Sequence, residues 1–163
     1  RRQRQMCIRD RLSEMEKIAR TLPELSIILN HIGGPIHLGE YEGKQALTHR
    51  EWRKAMMRLS RLPNIKVKLG GLGMEVNGAK FHLNHNPPNS SQLADIWKSW
   101  IYETIDMFGV ERCMFESNFP VDKGSCSYGS LWNAFKIISE NMSDNEKNKL
   151  FYENAAKTYK IKL

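Results

Sequence analysis

The sequence predicts an α/β fold built on parallel strands, and two observations support this prediction. Three short apolar runs, of the kind that forms strands buried on both faces, alternate with segments of helical periodicity in the order α-β-α-β-α-β-α-α. Each run ends in polar residues followed by glycine or proline, as is typical where a parallel strand reaches the edge of its sheet. Three strands are too few for a complete sheet of this class, so we expect part of a larger α/β domain.

The strands are predicted at residues 26–30, 65–69 and 112–115, which are apolar and rich in β-branched or aromatic side chains. The first helix is predicted from about Leu12, because apolar residues recur there at helical spacing until Pro23 ends the pattern.

The remaining helices follow from capping patterns and periodicity. Thr48-x-x-Glu51 is a capping-box pattern that predicts the start of the second helix. Residues 92–108 are predicted to be the third helix, a fourth is expected near 130–140, and Ser143-x-x-Glu146 is a second capping box that predicts a terminal helix.

Composition excludes several functional classes. The 163 residues are 40% hydrophobic and 26% charged, and no apolar window approaches the ~20 residues of a membrane span. Three cysteines without a C-x-x-C pattern favour a reducing, cytoplasmic compartment. We therefore expect a small-molecule substrate and no membrane partner.

The formal net charge of +7 does not by itself indicate a nucleic-acid partner. Five arginines fall within residues 1–11 against one aspartate, and the other basic residues are not interleaved with aromatic ones as a stacking surface requires. We predict that residues 1–11 are a non-native or poorly ordered leader and that 12–163 are the structured part.

Four motifs, in this order and at these spacings, resemble the amidohydrolase-related family of predicted metal-dependent hydrolases. They are Asn30-His31-Ile32-Gly33-Gly34-Pro35, Val67-Lys68-Leu69-Gly70-Gly71, Phe108-Gly109-x-x-Arg112-x-Met114-Phe115-x-Ser117-Asn118-Phe119-Pro120-Val121-Asp122, and Asn154-Ala155-Ala156-x-x-Tyr159. The resemblance implies a TIM-barrel fold, of which residues 12–163 are the C-terminal half. It also implies that the H-x-H pair on the family's first strand lies outside this sequence.

The resemblance places His31 at the end of an inner strand, as a metal ligand or as a catalytic group that contacts the substrate carbonyl. An imidazole suits both tasks, because it binds metals when neutral and exchanges protons near pH 7. The alternative is a structural histidine that fixes the turn at Gly33-Gly34-Pro35.

Asn118 departs from the family pattern, in which an aspartate serves as metal ligand and base. An amide cannot take up the proton of an attacking water, and its oxygen is a weaker metal ligand than a carboxylate. A divalent zinc or manganese cofactor is therefore predicted to bind more weakly than in the family. Glu116 and Asp122 flank this position. Glu116 is predicted to be catalytic and to share a face with Asn118 if the strand continues that far. Asp122 is either a substrate-binding residue or a turn cap.

By the resemblance Lys68 faces the barrel interior. There it binds a substrate carboxylate, pairs with Glu116 or is simply a charge at the barrel rim. The remaining histidines carry no comparable pattern: His82 and His85 are predicted to be a solvated pair and His49 a surface residue. Cys113 is predicted to be a small core residue, and Cys126 has no histidine close in sequence that marks a nucleophile.

Two functional hypotheses from different classes remain open. In the first, the full-length protein is a hydrolase of a lactone or related carboxylate, or a decarboxylase of an aromatic-like acid. A homo-oligomer of the full-length protein is compatible with this hypothesis. His31 would polarise the substrate carbonyl, Lys68 would bind its carboxylate and Asn118 would donate a hydrogen bond. In the second, the chain is a truncated, non-catalytic fragment with exposed sheet edges.

Overall fold

The computed structural model describes residues 8–162 and contains one three-stranded parallel sheet with six α-helices. The strands are β1 (Ile27–Leu29), β2 (Ile65–Leu69) and β3 (Cys113–Phe115), in the order β1-β2-β3. All three predicted strands and their parallel arrangement are confirmed.

Helices connect the strands and follow the sheet. They are α1 (Ile8–Thr21), α2 (Gln45–Ser60), α3 (Ser90–Phe108), α4 (Tyr128–Ile138), α5 (Asp144–Asn148) and α6 (Asn154–Tyr159). A π-helical turn, Lys149–Glu153, joins the last two. The predicted leader falls mainly on residues 1–7, outside the described residues, and residues 8–11 form the first turn of α1.

The capping-box prediction at Thr48 is wrong. Helix α2 begins three residues earlier, at Gln45, and Thr48 is buried within it. The pattern at Ser143 is confirmed, with both reciprocal hydrogen bonds to Glu146 present. Sequence inspection missed a further capping box, Asn89 with Gln92, which begins α3.

The core lies on one face of the sheet. Ile65, Val67 and Leu69 are fully buried on β2, which contacts α3. Lys66 and Lys68 alternate with them and occupy the opposite face, as the two-residue period of a strand requires. There Lys66 donates a hydrogen bond to Thr158 at the end of α6.

No helix within residues 8–162 combines the length and apolar character that crossing a bilayer requires.

Candidate active site

The carboxyl ends of the three strands bring the predicted site residues to one edge of the sheet. Leu29 pairs with Val67 and Leu69 with Phe115, so His31 and Glu116 follow β1 and β3 at nearly the same level. This is the edge at which parallel α/β proteins place their reactive groups.

His31 and Glu116 form a closely bonded pair across 85 residues of sequence. The ring Nδ1 of His31 lies 2.5 Å from Oε1 of Glu116, and the backbone N–H of His31 donates to the same oxygen at 2.9 Å. An ionised carboxylate only accepts hydrogen bonds, so Nδ1 carries the proton in this contact, and in the neutral tautomer of the ring Nε2 is the unprotonated nitrogen. The arrangement leaves a basic nitrogen, held by a carboxylate, at the sheet edge.

Lys68 completes what we call the Glu116 cluster (His31, Lys68 and Glu116). Its Nζ is 3.6 Å from Oε2 of Glu116, and it also lies 5.7 Å from the ring centroid of Tyr159. Burial alone raises the pKa of Glu116, but the hydrogen bonds from His31 and the charges of His31 and Lys68 together bring that pKa below its ordinary value. The predicted pairing of Lys68 with Glu116 is therefore present, whereas its binding of a substrate carboxylate stays a prediction.

Two glycines after β2 make room for this cluster. A Cβ on Gly70 would collide with the backbone oxygen of Glu116, and a Cβ on Gly71 would lie 2.6 Å from Nδ1 of His31. Gly71 also has a φ of +66°, and its carbonyl accepts a hydrogen bond from Asn77 at 2.6 Å. These glycines thus set how closely β2 approaches the His31–Glu116 pair.

The backbone at His31 is strained. His31 and Ile32 have φ values of +52° and +47°, in the left-handed region that side chains other than glycine seldom adopt. The buried indole N–H of Trp52 donates to the carbonyl of Ile32 at 2.7 Å and holds this turn in place. Such strain concentrates at functional sites, where surrounding contacts maintain it.

Asn118 occupies a different position from the one that strand alternation predicts. Strand β3 ends at Phe115, and Asn118 has a φ of +52°, so the condition for sharing a face with Glu116 is not met. Its Nδ2 donates to Oδ1 of Asp122 at 2.9 Å. One amide hydrogen, which the sequence hypothesis assigned to the substrate, is therefore engaged within the protein.

Asp122 and Asn118 form what we call the Asp122 cluster. Asp122 is only 1% exposed, and its second oxygen, Oδ2, has no hydrogen-bond partner among residues 8–162. Burial raises the pKa of Asp122 above its ordinary value, with a smaller contribution from the charge of Glu116. The Asn118 amide, the backbone of Gly73 and the charge of His31 lower the pKa by less. The buried carboxylate favours an indirect role, and its contact with substrate stays a prediction.

The other candidate residues lie apart from this edge. His82 is exposed and 3.9 Å from Glu75, and His85 is also exposed. His49 is not a simple surface residue: its Nε2 lies 2.8 Å from Oε1 of Glu103, and its ring packs against two tryptophans.

The two described cysteines are buried and free. Burial raises the pKa of Cys113 to about 12 and that of Cys126 to about 11, so neither is a thiolate nucleophile near neutral pH. Among residues 8–162, no group of three histidine, cysteine or acidic side chains is arranged to hold a metal ion.

Two further motif residues, Arg112 and Asn154, have structural roles that the sequence did not indicate. The guanidinium of Arg112 donates to the carbonyls of Phe108, Leu62 and Ser60, which ties the ends of α2 and α3 together beneath β3. The amide of Asn154 donates to the carbonyls of Val110 and Cys113. Both residues fix the start of the strand that carries Glu116.

Comparison with known sequences finds one matching family model, described as amidohydrolase, which covers residues 6–161. An uncharacterized protein, y4mH, of Sinorhizobium fredii is 39% identical over 154 residues, which are 92% of this chain and 44% of that protein. L-Fucono-1,5-lactonase of Burkholderia multivorans is 28% identical over 136 residues, 83% of this chain and 43% of the enzyme. The chain thus spans less than half the length of these relatives.

Solved structures share the fold. An amidohydrolase from Burkholderia multivorans with bound HEPES matches with a TM-score of 0.78 and 24% identity, over 94% of this chain and 51% of that one. An amidohydrolase crystal structure from the same organism with bound zinc gives a TM-score of 0.76 and 24% identity, over 94% and 50%.

Proposed function

The chain belongs to the amidohydrolase family, and on that premise we propose that the full-length protein hydrolyses a lactone at the mouth of a (β/α)8 barrel. Residues 12–163 would form the C-terminal part of that barrel. The observation that carries the proposal is the His31–Glu116 pair at the carboxyl edge of the sheet. A bonded imidazole and carboxylate at this edge match the requirements of acyl hydrolysis better than those of a binding module.

The geometry supports a general-base mechanism centred on His31. Nε2 takes a proton from water as the water oxygen adds to the lactone carbonyl carbon. The tetrahedral intermediate then collapses, the ring C–O bond breaks, and the imidazolium returns the proton to the departing oxygen. The products are a carboxylic acid, which releases its proton to solvent, and an alcohol, both within one hydroxy acid. Glu116 stabilises the imidazolium through Nδ1.

Lys68 has a supporting role in this scheme. Its charge, 3.6 Å from Glu116, favours the ionised carboxylate on which the His31 tautomer depends. We expect the same cation to attract the developing negative charge of the product.

The described residues do not fit a catalytic metal by themselves. A zinc or manganese site of this kind takes at least three protein ligands. Here Nδ1 of His31 is bonded to Glu116, and Asn118 supplies only a neutral oxygen. The catalytic steps given above therefore use only residues of this chain. That the full-length protein completes such a site with ligands from outside this chain is a separate proposal, motivated by the zinc in the related crystal structure.

A lactone is preferred to the other substrates of the family because a relative 28% identical to this chain is a sugar lactonase. We further propose a cytoplasmic location, which the two free, buried cysteines support.

The test is turnover by the purified full-length protein on a panel of five- and six-membered sugar lactones, followed by the acid released at constant pH. Hydrolysis of at least one lactone well above its spontaneous rate is expected. Aromatic carboxylic acids are assayed in parallel for release of carbon dioxide. Decarboxylation without lactone hydrolysis would overturn the proposal in favour of a lyase.

A further inference from the structure

We propose that Asp122 is a positioning residue that holds the amide of Asn118 with its oxygen free to accept a hydrogen bond from the attacking water. This inference rests on the proposed hydrolysis. The fully buried carboxylate of Asp122 would determine whether the nitrogen or the oxygen of the Asn118 amide faces the reacting groups.

The hydrogen bond between Asn118 and Asp122 can run in only one direction. The two ends of an asparagine amide have nearly the same shape, but only the nitrogen donates. A carboxylate only accepts, so the contact of 2.9 Å between Asp122 and Asn118 fixes the nitrogen toward Asp122. The amide oxygen is thereby turned away, and it forms no hydrogen bond within residues 8–162.

Asp122 is itself held firmly. Its backbone N–H donates to the carbonyl of Asn118 at 3.2 Å, and its own carbonyl accepts from the backbone N–H groups of Ser125 and Cys126 at 3.0 and 3.1 Å. Its side chain is 1% exposed and packs against Gly73. The carboxylate therefore cannot turn away from Asn118 without opening the loop.

A lactone carbonyl and its tetrahedral oxyanion only accept hydrogen bonds, so an amide oxygen does not stabilise them. Water has two O–H groups, of which one can be donated to Oδ1 of Asn118 and the other to Nε2 of His31. On this proposal Asn118 accepts a hydrogen bond from the water, whereas the sequence hypothesis has it donate to the reacting oxygen. Asn118 orients the nucleophile, and His31 removes its proton.

The test compares Asp122→Asn with Ser125→Ala in the full-length protein. An amide at position 122 can present either end to Asn118, so the orientation is no longer fixed. We expect kcat to fall by about 10- to 100-fold with little change in KM, because positioning of the nucleophile is lost.

Ser125→Ala is the control, because it removes a buried hydrogen bond to the carbonyl of Gly73 in the same loop without touching Asn118. It is expected to lower the melting temperature and leave kcat within about twofold. If both variants lower kcat in proportion to their loss of melting temperature, Asp122 acts through packing and the inference is wrong.

A second readout is independent of turnover. In protein labelled with ¹⁵N-asparagine, the side-chain amide of Asn118 is assigned from its absence in Asn118→Ser. One of its protons should exchange slowly in the wild type and rapidly in Asp122→Asn. Equal exchange in both proteins would overturn the inference even if lactones are hydrolysed. Conversely, absence of lactone turnover in the wild type would refute the proposed function, and the exchange measurement would still decide whether Asp122 holds Asn118.

Discussion

Glu116 and Asp122 lie six residues apart on one loop, yet their surroundings differ in charge. In the Glu116 cluster, both oxygens face nitrogen atoms that are or can become cationic, those of His31 and Lys68. In the Asp122 cluster, the carboxylate faces the neutral amide of Asn118 and one oxygen has no partner among residues 8–162. The first carboxylate is stabilised by its neighbours, whereas the second costs free energy to ionise. The ionised form of Asp122 therefore does not add to the stability of the fold as that of Glu116 does.

The largest expected effect is the loss of kcat/KM when the reacting group, His31, is removed. His31→Ala should lower kcat/KM by about 10²- to 10⁴-fold, because the general base is removed. The cost in stability should be only about 1–3 kcal/mol, from leaving Glu116 without its partner. His85→Ala removes an exposed histidine and is the matched control, for which both values should be unchanged. Wild-type turnover with a lowered melting temperature in His31→Ala would mark His31 as structural.

The next effect compares the glycines that pack on each cluster. Gly71→Ala forces a side chain into the left-handed region and against the ring of His31, and it should cost about 1–3 kcal/mol together with most of the activity. Gly73→Ala places a Cβ 3.2 Å from the Asp122 carboxylate without that backbone strain, and it should cost clearly less. Thermal unfolding of the two variants decides the order, and equal losses would contradict it.

The pH dependence of stability should have opposite signs for the two carboxylates. The pKa of Glu116 lies below its ordinary value of 4.5, so its contribution is full above that pH and is lost as the pH falls through the lowered pKa. The pKa of Asp122 lies above its ordinary value of 3.8, so the folded state binds the extra proton and loses stability as the pH rises through this range.

Denaturant unfolding from pH 3 to 7 measures this difference. Relative to wild type, Glu116→Gln should become less stable as the pH rises, and Asp122→Asn should become more stable. Parallel curves for the two variants would remove the distinction between the clusters.

The smallest expected effect is on metal binding by this chain. Neither cluster offers three ligands, so titration calorimetry with Zn²⁺ should show only weak, adventitious binding. Stoichiometric binding at sub-micromolar concentration would mean that Nε2 of His31 and the Asp122 cluster act together as a site.

The sequence allowed the sheet to be predicted almost residue by residue. Apolar runs that end in glycine or proline are local signals, and β2 was predicted at 65–69 as it is observed. The start of α2 was not predictable in the same way. The pattern at Thr48 is locally sufficient for a cap, but the chain continues the helix back to Gln45 and buries Thr48 in the core.

The residues of the candidate site could be predicted from the sequence, but several of the contacts between them could not. His31, Lys68 and Glu116 all follow or end strands, so their approach follows from a parallel sheet. The hydrogen bond from Asn118 to Asp122 depends on left-handed backbone at residue 118, for which an asparagine in the sequence is only a weak signal. The contact of Gly71 with His31 joins two loops and has no local signature.

The hydrogen bond between His31 and Glu116 forms only when β1 and β3 are in the observed register, so the proposed activity depends on that register. His31 and Glu116 follow β1 and β3, so a slip of either strand by one residue would shift the residue that follows it along the sheet edge and separate the pair. A misaligned molecule would thus be inactive rather than partly active. The specific activity of a preparation of the full-length protein should therefore be proportional to the fraction of molecules with the correct strand register. Secondary-structure content alone does not distinguish these molecules from misaligned ones.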